Sequence, residues 1–105
     1  MNDLVERLAT GVHPLAYIRR DGLKGLKESI GRGFVMLAFT GTRGVTELGF
    51  RLDETCCNFQ NADFDNGQGA LHLEGELTLD DVPARVVADV TLATLAGTGC
   101  LRLLG

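Results

Sequence analysis

Residues 71–92, LHLEGELTLDDVPARVVADVTL, carry the strongest structural signal in the sequence. Apolar and polar residues alternate along both halves of this stretch, and a period of two residues is typical of a strand with one buried face. In the first half, the leucines form the apolar face. The polar face of that half comprises His72, Glu74, Glu76 and Thr78. The stretch therefore predicts two strands of an antiparallel sheet.

The two halves are expected to pair as a hairpin around DDVP, residues 80–83. If Leu79 faces Ala84, the apolar residues of both strands lie on one face, so the two alternating patterns agree. The same register sets Glu74 directly opposite Asp89, and a pair of like charges at that position costs some stability.

A second hairpin is predicted upstream, where FVMLAFT (34–40) and VTELGFRL (45–52) flank the glycine-containing turn GTRG. With Thr40 facing Val45, the apolar residues of the two strands again share a face. The first strand is apolar on both faces, so either a helix or a partner molecule must cover its outer face. The candidate interface residues on that outer face are Phe34, Met36, Ala38 and Gly49.

Two short helices are predicted in the first third of the chain. Asp3 and Glu6 have the spacing of a helix cap, and Asp21 precedes an apolar stripe that repeats every three or four residues. Gly31 stands where a left-handed residue ends such a helix. Residues 14–20, between the two helices, fit either a strand or a helical turn.

The fold class expected from these patterns is α+β, as one domain over residues 1–105. Two short N-terminal helices precede an antiparallel meander of about five strands, and a short last strand turns Leu101 and Leu103 inward. An open roll and a partly closed barrel both satisfy the pattern. A chain of this length suits a single core that buries roughly two-thirds of the unfolded surface.

Composition and charge exclude some classes of partner. The net charge of −4 argues against a nucleic-acid binder, and no apolar run is long enough to cross a bilayer. The N-terminal sequence MNDLVERL does not resemble a secretory signal, so we expect a soluble cytoplasmic protein.

Charge is distributed unevenly along the chain. Residues 1–52 hold eight basic and five acidic groups, whereas residues 53–105 hold two basic and nine acidic groups. The two halves are expected to attract each other within one chain or between two chains.

The sequence contains no metal or catalytic motif. The three cysteines and two histidines lack the spacing of a zinc site, and NADFDNGQG at 61–69 fails the spacing of a calcium loop. No histidine stands beside a cysteine in the sequence, so we expect free thiols, no cofactor and no metal. The paired acids of the 71–92 hairpin, Glu74 and Asp89, are more typical of a solvated face than of acid/base catalysis.

Residues 53–68 have no sustained period and are rich in Asn, Asp and Gly. They fit a long loop or a poorly signalled short element, and loops of this length are often functional. The residues that we single out as a ligand-binding or reactive-thiol loop are Cys56, Cys57, Phe59, Phe64 and His72.

A basic patch is predicted around the second helix. It comprises Arg19, Arg20, Lys24, Lys27 and Arg32. Such a patch can bind a phosphate-bearing ligand, although a solvated helix face is the commoner outcome.

Two functional hypotheses follow from the sequence. The leading one is a small non-catalytic interaction or accessory module that forms a homo-oligomer or binds another protein, because the strand 34–39 is apolar on both faces and no catalytic constellation is present. The alternative is a roll or barrel that binds an apolar or acidic small molecule, with or without enzymatic activity, and uses the segment 53–68 as a lid.

Overall fold

The computed structural model describes residues 3–42 and 44–104. Its helices are α1 (Asp3–Leu8) and α2 (Gly22–Arg32). Its strands are β1 (His13–Ala16), β2 (Phe34–Phe39), β3 (Thr46–Leu52), β4 (Ala62–Asp63), β5 (Gln68–Leu79), β6 (Val82–Thr91) and β7 (Ala96–Leu103). Arg43, in the predicted GTRG turn, lies outside the described residues.

Six of the strands close into a barrel. The order is β3-β2-β1-β7-β6-β5, and β3 also pairs with β5, which joins the two ends of the sheet. The closing register sets Arg51 opposite Glu76 and Leu52 opposite Gly75. The short strand β4 pairs with β5 outside the closed ring. All of these pairs are antiparallel.

The structure confirms the antiparallel α+β arrangement and corrects two parts of the prediction. The described part of the chain forms seven strands rather than about five, and the barrel is closed rather than open or partly closed. The missed strands β1 and β4 span four and two residues, which is too short for a clear alternation. Closure depends on pairing between distant residues, which a local pattern does not report.

The upstream hairpin is confirmed in its predicted register. Val35 pairs with Phe50 and Leu37 pairs with Leu48, and these four residues are buried. The residues left open at 14–20 begin with the end of β1, so the strand interpretation holds as far as Ala16.

The register of the β5–β6 hairpin differs from the predicted one by two residues. Leu79 pairs with Val82 rather than with Ala84. The reason is that the turn consists of Asp80 and Asp81 alone, whose φ angles of 50° and 65° are typical of a two-residue type I′ turn. A shift of two residues keeps every side chain on its predicted face.

The predicted like-charge pair across this hairpin is therefore wrong. Glu74 lies opposite Val87, and Asp89 lies opposite His72. The polar face of the hairpin thus pairs a histidine with a carboxylate, which is a favourable cross-strand arrangement.

Helix α2 begins after Asp21 as predicted, but the Asp21 side chain makes no capping hydrogen bond. Its carboxylate instead accepts a hydrogen bond from the Tyr17 hydroxyl at 2.7 Å. The helix ends at Gly33, with a left-handed φ of 79°, rather than at Gly31. The Gly33 N–H donates to the Ile30 carbonyl and satisfies the end of the helix.

Side chains fill the interior of the barrel. The largest of those less than 2% exposed are Phe39, Phe50, Leu8, Leu15, Leu26, Leu37, Leu71, Leu73 and Leu101. Leu8 comes from α1 and Leu26 from α2, so both helices pack on the same core. A six-stranded barrel is narrower than the eight-stranded barrels that side chains just fill.

One residue of the last strand departs from the prediction. Leu101 is 1% exposed, as expected, but Leu103 is 37% exposed. Leu103 is the last residue of β7 and lies beyond the filled interior.

Among the described residues, neither helix has the length and apolar character needed to cross a bilayer.

Gly75 is expected to be essential for closing the barrel, because a Cβ atom at this position would collide with the Arg51 carbonyl oxygen. Replacing Gly75 with alanine is expected to lower the free energy of unfolding by about 1–3 kcal/mol, the usual cost of overpacking. The matched control is Gly31→Ala in α2, where an added Cβ meets no atom within 4 Å. Urea denaturation of both variants checks this, and equal stabilities would contradict tight closure at Gly75.

Candidate functional site

A surface cleft opens where the chain leaves β1. One part of it, about 550 Å³ in volume, is lined by Ile18, Arg19, Arg20, Asp21 and Glu47. A second part, about 220 Å³, shares Arg19 and Asp21 with the first part and adds Tyr17, Ser29, Arg32, Phe34 and Met36. We call these ten residues together the arginine cleft.

The departure of the chain from β2 creates the arginine cleft. Ala16 is the last residue of β1 that pairs with β2, opposite Ala38. The Tyr17 N–H donates to the Leu95 carbonyl at 2.8 Å, which extends the β1–β7 register by one residue on the opposite side of the segment. Between described residues, no backbone hydrogen bond joins residues 17–21 to β2. Residues 17–21 therefore lie apart from β2, and the arginine cleft lies between this segment and β2.

Tyr17 anchors this departing segment. Its side chain is 4% exposed, and its hydroxyl donates to Asp21 at 2.7 Å. Burial raises the pKa of the Tyr17 hydroxyl, and the neighbouring Asp21 carboxylate raises it further. Tyr17 therefore stays neutral at physiological pH and fixes the start of α2 against the barrel.

Arg19 reaches across the cleft to the outer face of β2 and β3. Its guanidinium donates to the Met36 sulfur at 2.8 Å and lies 3.4 Å from a Glu47 carboxylate oxygen. The Arg19 side chain is nevertheless 47% exposed. Arg32, on the helix side of the cleft, lies 3.4 Å from the Ser29 hydroxyl. Both arginines therefore keep donors that a bound ligand can use.

The predicted basic patch divides in two. Arg19, Arg20 and Arg32 line the arginine cleft. Lys24 and Lys27 are exposed on α2 and line neither part of the cleft, as expected for a solvated helix face.

The four candidate interface residues have different environments. Phe34 is 50% exposed, and Met36 is partly exposed beside it in the arginine cleft. The Phe34 ring packs over Gly49, where an added Cβ would lie 2.6 Å from the ring. Ala38 is fully buried in its own chain, and its backbone pairs with Ala16 of β1. Ala38 is therefore not available to a partner, whereas Phe34 and Met36 are.

A second polar cluster lies on the outer face of β5 and β6, centred on Arg85. The Arg85 guanidinium is 2.7 Å from Asp53, 3.1 Å from Glu74 and 3.5 Å from Glu76. Hydrogen bonds from Arg85 and Thr55 hold the pKa of Asp53 well below its usual range. We call Asp53, His72, Glu74, Glu76, Arg85 and Asp89 together the Arg85 network.

His72 bridges two carboxylates of the Arg85 network. Its Nε2 lies 2.7 Å from Glu74 and its Nδ1 lies 2.8 Å from Asp89. The hydrogen bond with Glu74 raises the pKa of His72, and the one with Asp89 raises it further. The same contact with His72, together with Arg85, lowers the pKa of Glu74. Glu74 is therefore ionised at neutral pH and is poorly suited to act as a general acid.

The two neighbouring thiols do not form a nucleophilic pair with His72. The Cys57 thiol donates to the Glu74 carbonyl at 3.5 Å and accepts from the Glu74 N–H at 3.4 Å. Burial raises the pKa of Cys57, which disfavours the thiolate. Cys56 is exposed, and its thiol donates to Asp53 at 3.5 Å. Both ring nitrogens of His72 face carboxylates instead.

The segment 53–68 is hydrogen-bonded along β5. Asn58 and His72 exchange two backbone hydrogen bonds of 3.0 Å, and β4 pairs with the start of β5. Of the two interpretations left open by the sequence, the poorly signalled short element is the one present. Phe59 and Phe64 are partly buried against the core. The role of this segment as a lid remains a prediction.

Sequence reasoning missed the centre of each cluster. Tyr17, Ser29 and Glu47 join the arginine cleft through tertiary packing, and no local pattern marks them. The charge composition of the sequence could have drawn attention to Arg85. Residues 53–105 contain nine acidic residues and only two basic ones, of which Arg85 is one.

The described residues contain no group of three or more His, Cys, Asp and Glu side chains arranged to hold a metal ion. Comparison of the sequence with protein families and with curated proteins finds no match to either. The function therefore has to be argued from the two polar surfaces themselves.

The His72 contacts are expected to make stability depend on pH. Because the folded pKa of His72 is raised, its contribution is complete below the unfolded pKa of about 6.5 and is lost as pH rises through the folded pKa. The stability difference between wild type and His72→Gln is expected to be larger at low pH by about 0.5 kcal/mol, as for partly exposed ion pairs. Urea denaturation between about pH 5.5 and 8.5 tests this. A stability difference that does not change with pH would show that the contacts of His72 with Glu74 and Asp89 contribute nothing to stability.

Cys57 is expected to react slowly with iodoacetamide in the folded protein, because its thiol is half-buried and hydrogen-bonded to Glu74. Labelling of a Cys56→Ser variant, followed by mass spectrometry of the Cys57 peptide, gives the rate. The matched control is the same variant unfolded in urea. Folded-state labelling as fast as in urea, or faster, would revive the reactive-thiol hypothesis.

Proposed function

We propose that this protein is a non-catalytic interaction module that associates with a second copy of itself through the arginine cleft. The observation that carries the proposal is the convergence of Arg19, Arg20 and Arg32 with exposed apolar side chains on one open cleft. Arginine and aromatic residues are enriched among the residues that dominate protein interfaces.

Apolar exposure supports this assignment. Ile18 is 52% exposed and Phe34 is 50% exposed, and both line the arginine cleft. A phenylalanine that packs over a glycine and still leaves half of its surface in water provides a rigid apolar anchor. Single exposed apolar residues are normal on monomers, but two beside a cluster of arginines favour a binding face.

Charge supports a second copy as the partner. The ion pair of Arg19 is with Glu47, so it stays within residues 1–52. The pairs of Arg85 all lie within residues 53–105. Among ion pairs between described residues, none links the basic half to the acidic half. A second copy would offer its acidic half to the basic half of the first, and this charge complementarity favours contact between two chains.

The filled barrel interior also favours an interaction module over a small-molecule carrier. The core side chains leave the surface clefts as the binding space. The ionisable groups of the Arg85 network bond to one another, which is typical of a structural cluster. The small-molecule alternative has no comparable observation in its favour.

The proposal predicts salt-sensitive self-association. Light scattering after size exclusion is expected to show a dimer or larger species at low salt and a shift toward monomer at high salt, because exposed charges are screened. Phe34→Asp is expected to abolish the association while the fold, followed by circular dichroism, is retained.

The matched control is Val12→Asp. Val12 is 70% exposed but precedes β1, at the end of that strand away from the cleft. The control is expected to associate like wild type. A monomer at both salt concentrations, or equal effects of the two substitutions, would contradict self-association through the arginine cleft.

A further inference from the structure

Strand β2 has one edge that no strand of the barrel covers along half of its length. Successive residues of a strand direct their backbone N–H and C=O groups to alternate sides. The Thr40 N–H donates to the Pro14 carbonyl at 3.1 Å, and the Leu52 N–H donates to the Gly33 carbonyl at 2.9 Å. Even-numbered residues of β2 therefore face β1, and odd-numbered residues face β3.

The pairing of β2 with β1 stops at Ala38, opposite Ala16. The Tyr17 N–H bonds to Leu95 on the opposite side of the segment, where it extends the β1–β7 register. The even-numbered residues beyond this point are Phe34 and Met36. Their backbone N–H and C=O groups face the gap left by the departing chain. No described residue forms a backbone hydrogen bond with them from that side. Strand edges of this kind are templates for pairing with another chain.

Space for such a chain lies directly beside the edge. The 220 Å³ part of the arginine cleft is lined by Tyr17 and Arg19 on the departing side and by Phe34 and Met36 on the β2 side. We propose that this edge of β2 binds an extended acidic segment of a partner protein, which adds as an antiparallel strand in the line that β1 leaves. The inference rests on the arginine cleft being a protein-binding face, as proposed above, and adds the form and charge of the bound segment.

The charges that line the arginine cleft favour an acidic segment as the bound partner. Three arginines line the cleft: Arg19, Arg20 and Arg32. The two acids of the cleft are already engaged, since Asp21 accepts from Tyr17 and Glu47 pairs with Arg19. Carboxylates of the bound segment therefore meet an excess of guanidinium groups, which can bind a carboxylate through two hydrogen bonds.

Strand geometry then determines which positions of the bound segment carry the acidic side chains. The side chains of Phe34 and Met36 lie on the outer face of β2, because the odd-numbered Val35 and Leu37 point into the core. A residue directly opposite Phe34 or Met36 has its side chain on the same outer face, beside the arginines, and its N–H group faces β2. The bound segment thus alternates outer acidic residues with inner apolar residues.

The probe is a fluorescent, end-capped peptide of sequence Glu-Val-Glu-Val-Glu, and binding is followed by anisotropy. It is expected to bind, to lose affinity as salt is added, and to bind more tightly than the matched peptide Lys-Val-Lys-Val-Lys. Saturation with the peptide is expected to slow amide hydrogen exchange at Phe34 and Met36, because their N–H groups become hydrogen-bonded.

Backbone methylation separates strand addition from simple charge attraction. N-methylation of the glutamates removes the N–H groups that face β2 and is expected to weaken binding about tenfold, the effect of roughly 1.4 kcal/mol. N-methylation of the valines removes N–H groups that face away and is expected to change affinity less than about twofold. Equal affinities for the two methylated peptides would overturn the inference.

Protein variants test the charge contribution. Arg19→Ala and Arg32→Ala are each expected to weaken binding by about fivefold, the size of a partly exposed ion pair. Arg7→Ala, on the exposed face of α1, is the matched control and is expected to leave affinity unchanged. No detectable binding of the glutamate peptide, or unchanged amide exchange at Phe34 and Met36 when it is bound, would overturn strand addition.

The outcomes for the two proposals are distinguishable. Because a dimer formed through the cleft would exclude the peptide, binding is measured on protein diluted until light scattering shows a monomer. A monomer that does not bind the glutamate peptide, from a protein that forms salt-sensitive dimers when concentrated, would contradict strand addition and leave self-association intact. A protein that is monomeric at both salt concentrations and binds the peptide with protection of Phe34 and Met36 would contradict self-association alone.

Discussion

The pairing of β3 with β5 is the constraint on which the rest of the structure depends. It sets Leu52 opposite Gly75 and joins the two ends of the sheet. The absence of a side chain at Gly75 permits the close approach to the Arg51 carbonyl. Next to this pairing, the Asp53 N–H donates to the Glu74 carbonyl at 2.8 Å and continues the seam. Because such a contact is non-local, its loop-closure entropy must be offset by the core that it encloses.

The Arg85 network stabilises the same seam from outside. Arg85 on β6 reaches Asp53, which follows β3, and Glu74 on β5, so one guanidinium ties three parts of the closed sheet together. Hydrogen bonds with Arg85 and His72 keep these carboxylates ionised. The ionisable groups of the network are therefore engaged with one another across the seam.

The arginine cleft results from a strand that is shorter than its neighbour. β1 spans four residues whereas β2 spans six. The pairing of β1 with β2 ends at Ala16 and Ala38, while the Tyr17 N–H still bonds to Leu95 beside β7. Between described residues, no backbone hydrogen bond reaches Phe34 or Met36 from the side of β1. Residues 17–21 bring arginines to the same place. Backbone edge, apolar surface and positive charge therefore share one cleft, and this coincidence underlies both proposals.

The sequence by itself determined the elements with a sustained period: two helices, the β2–β3 hairpin in its correct register, and the faces of β5 and β6. Local side-chain patterns specify these features because burial on one face selects the alternation. Tertiary structure alone decided that the barrel closes, that Asp80 and Asp81 form a two-residue turn, and that Ala38 is buried while Phe34 stays half exposed. Closure and burial depend on contacts between residues far apart in the chain, which leave no periodic trace in the sequence. The turn depends on left-handed φ angles at two aspartates, which no alternation of apolar and polar residues reports.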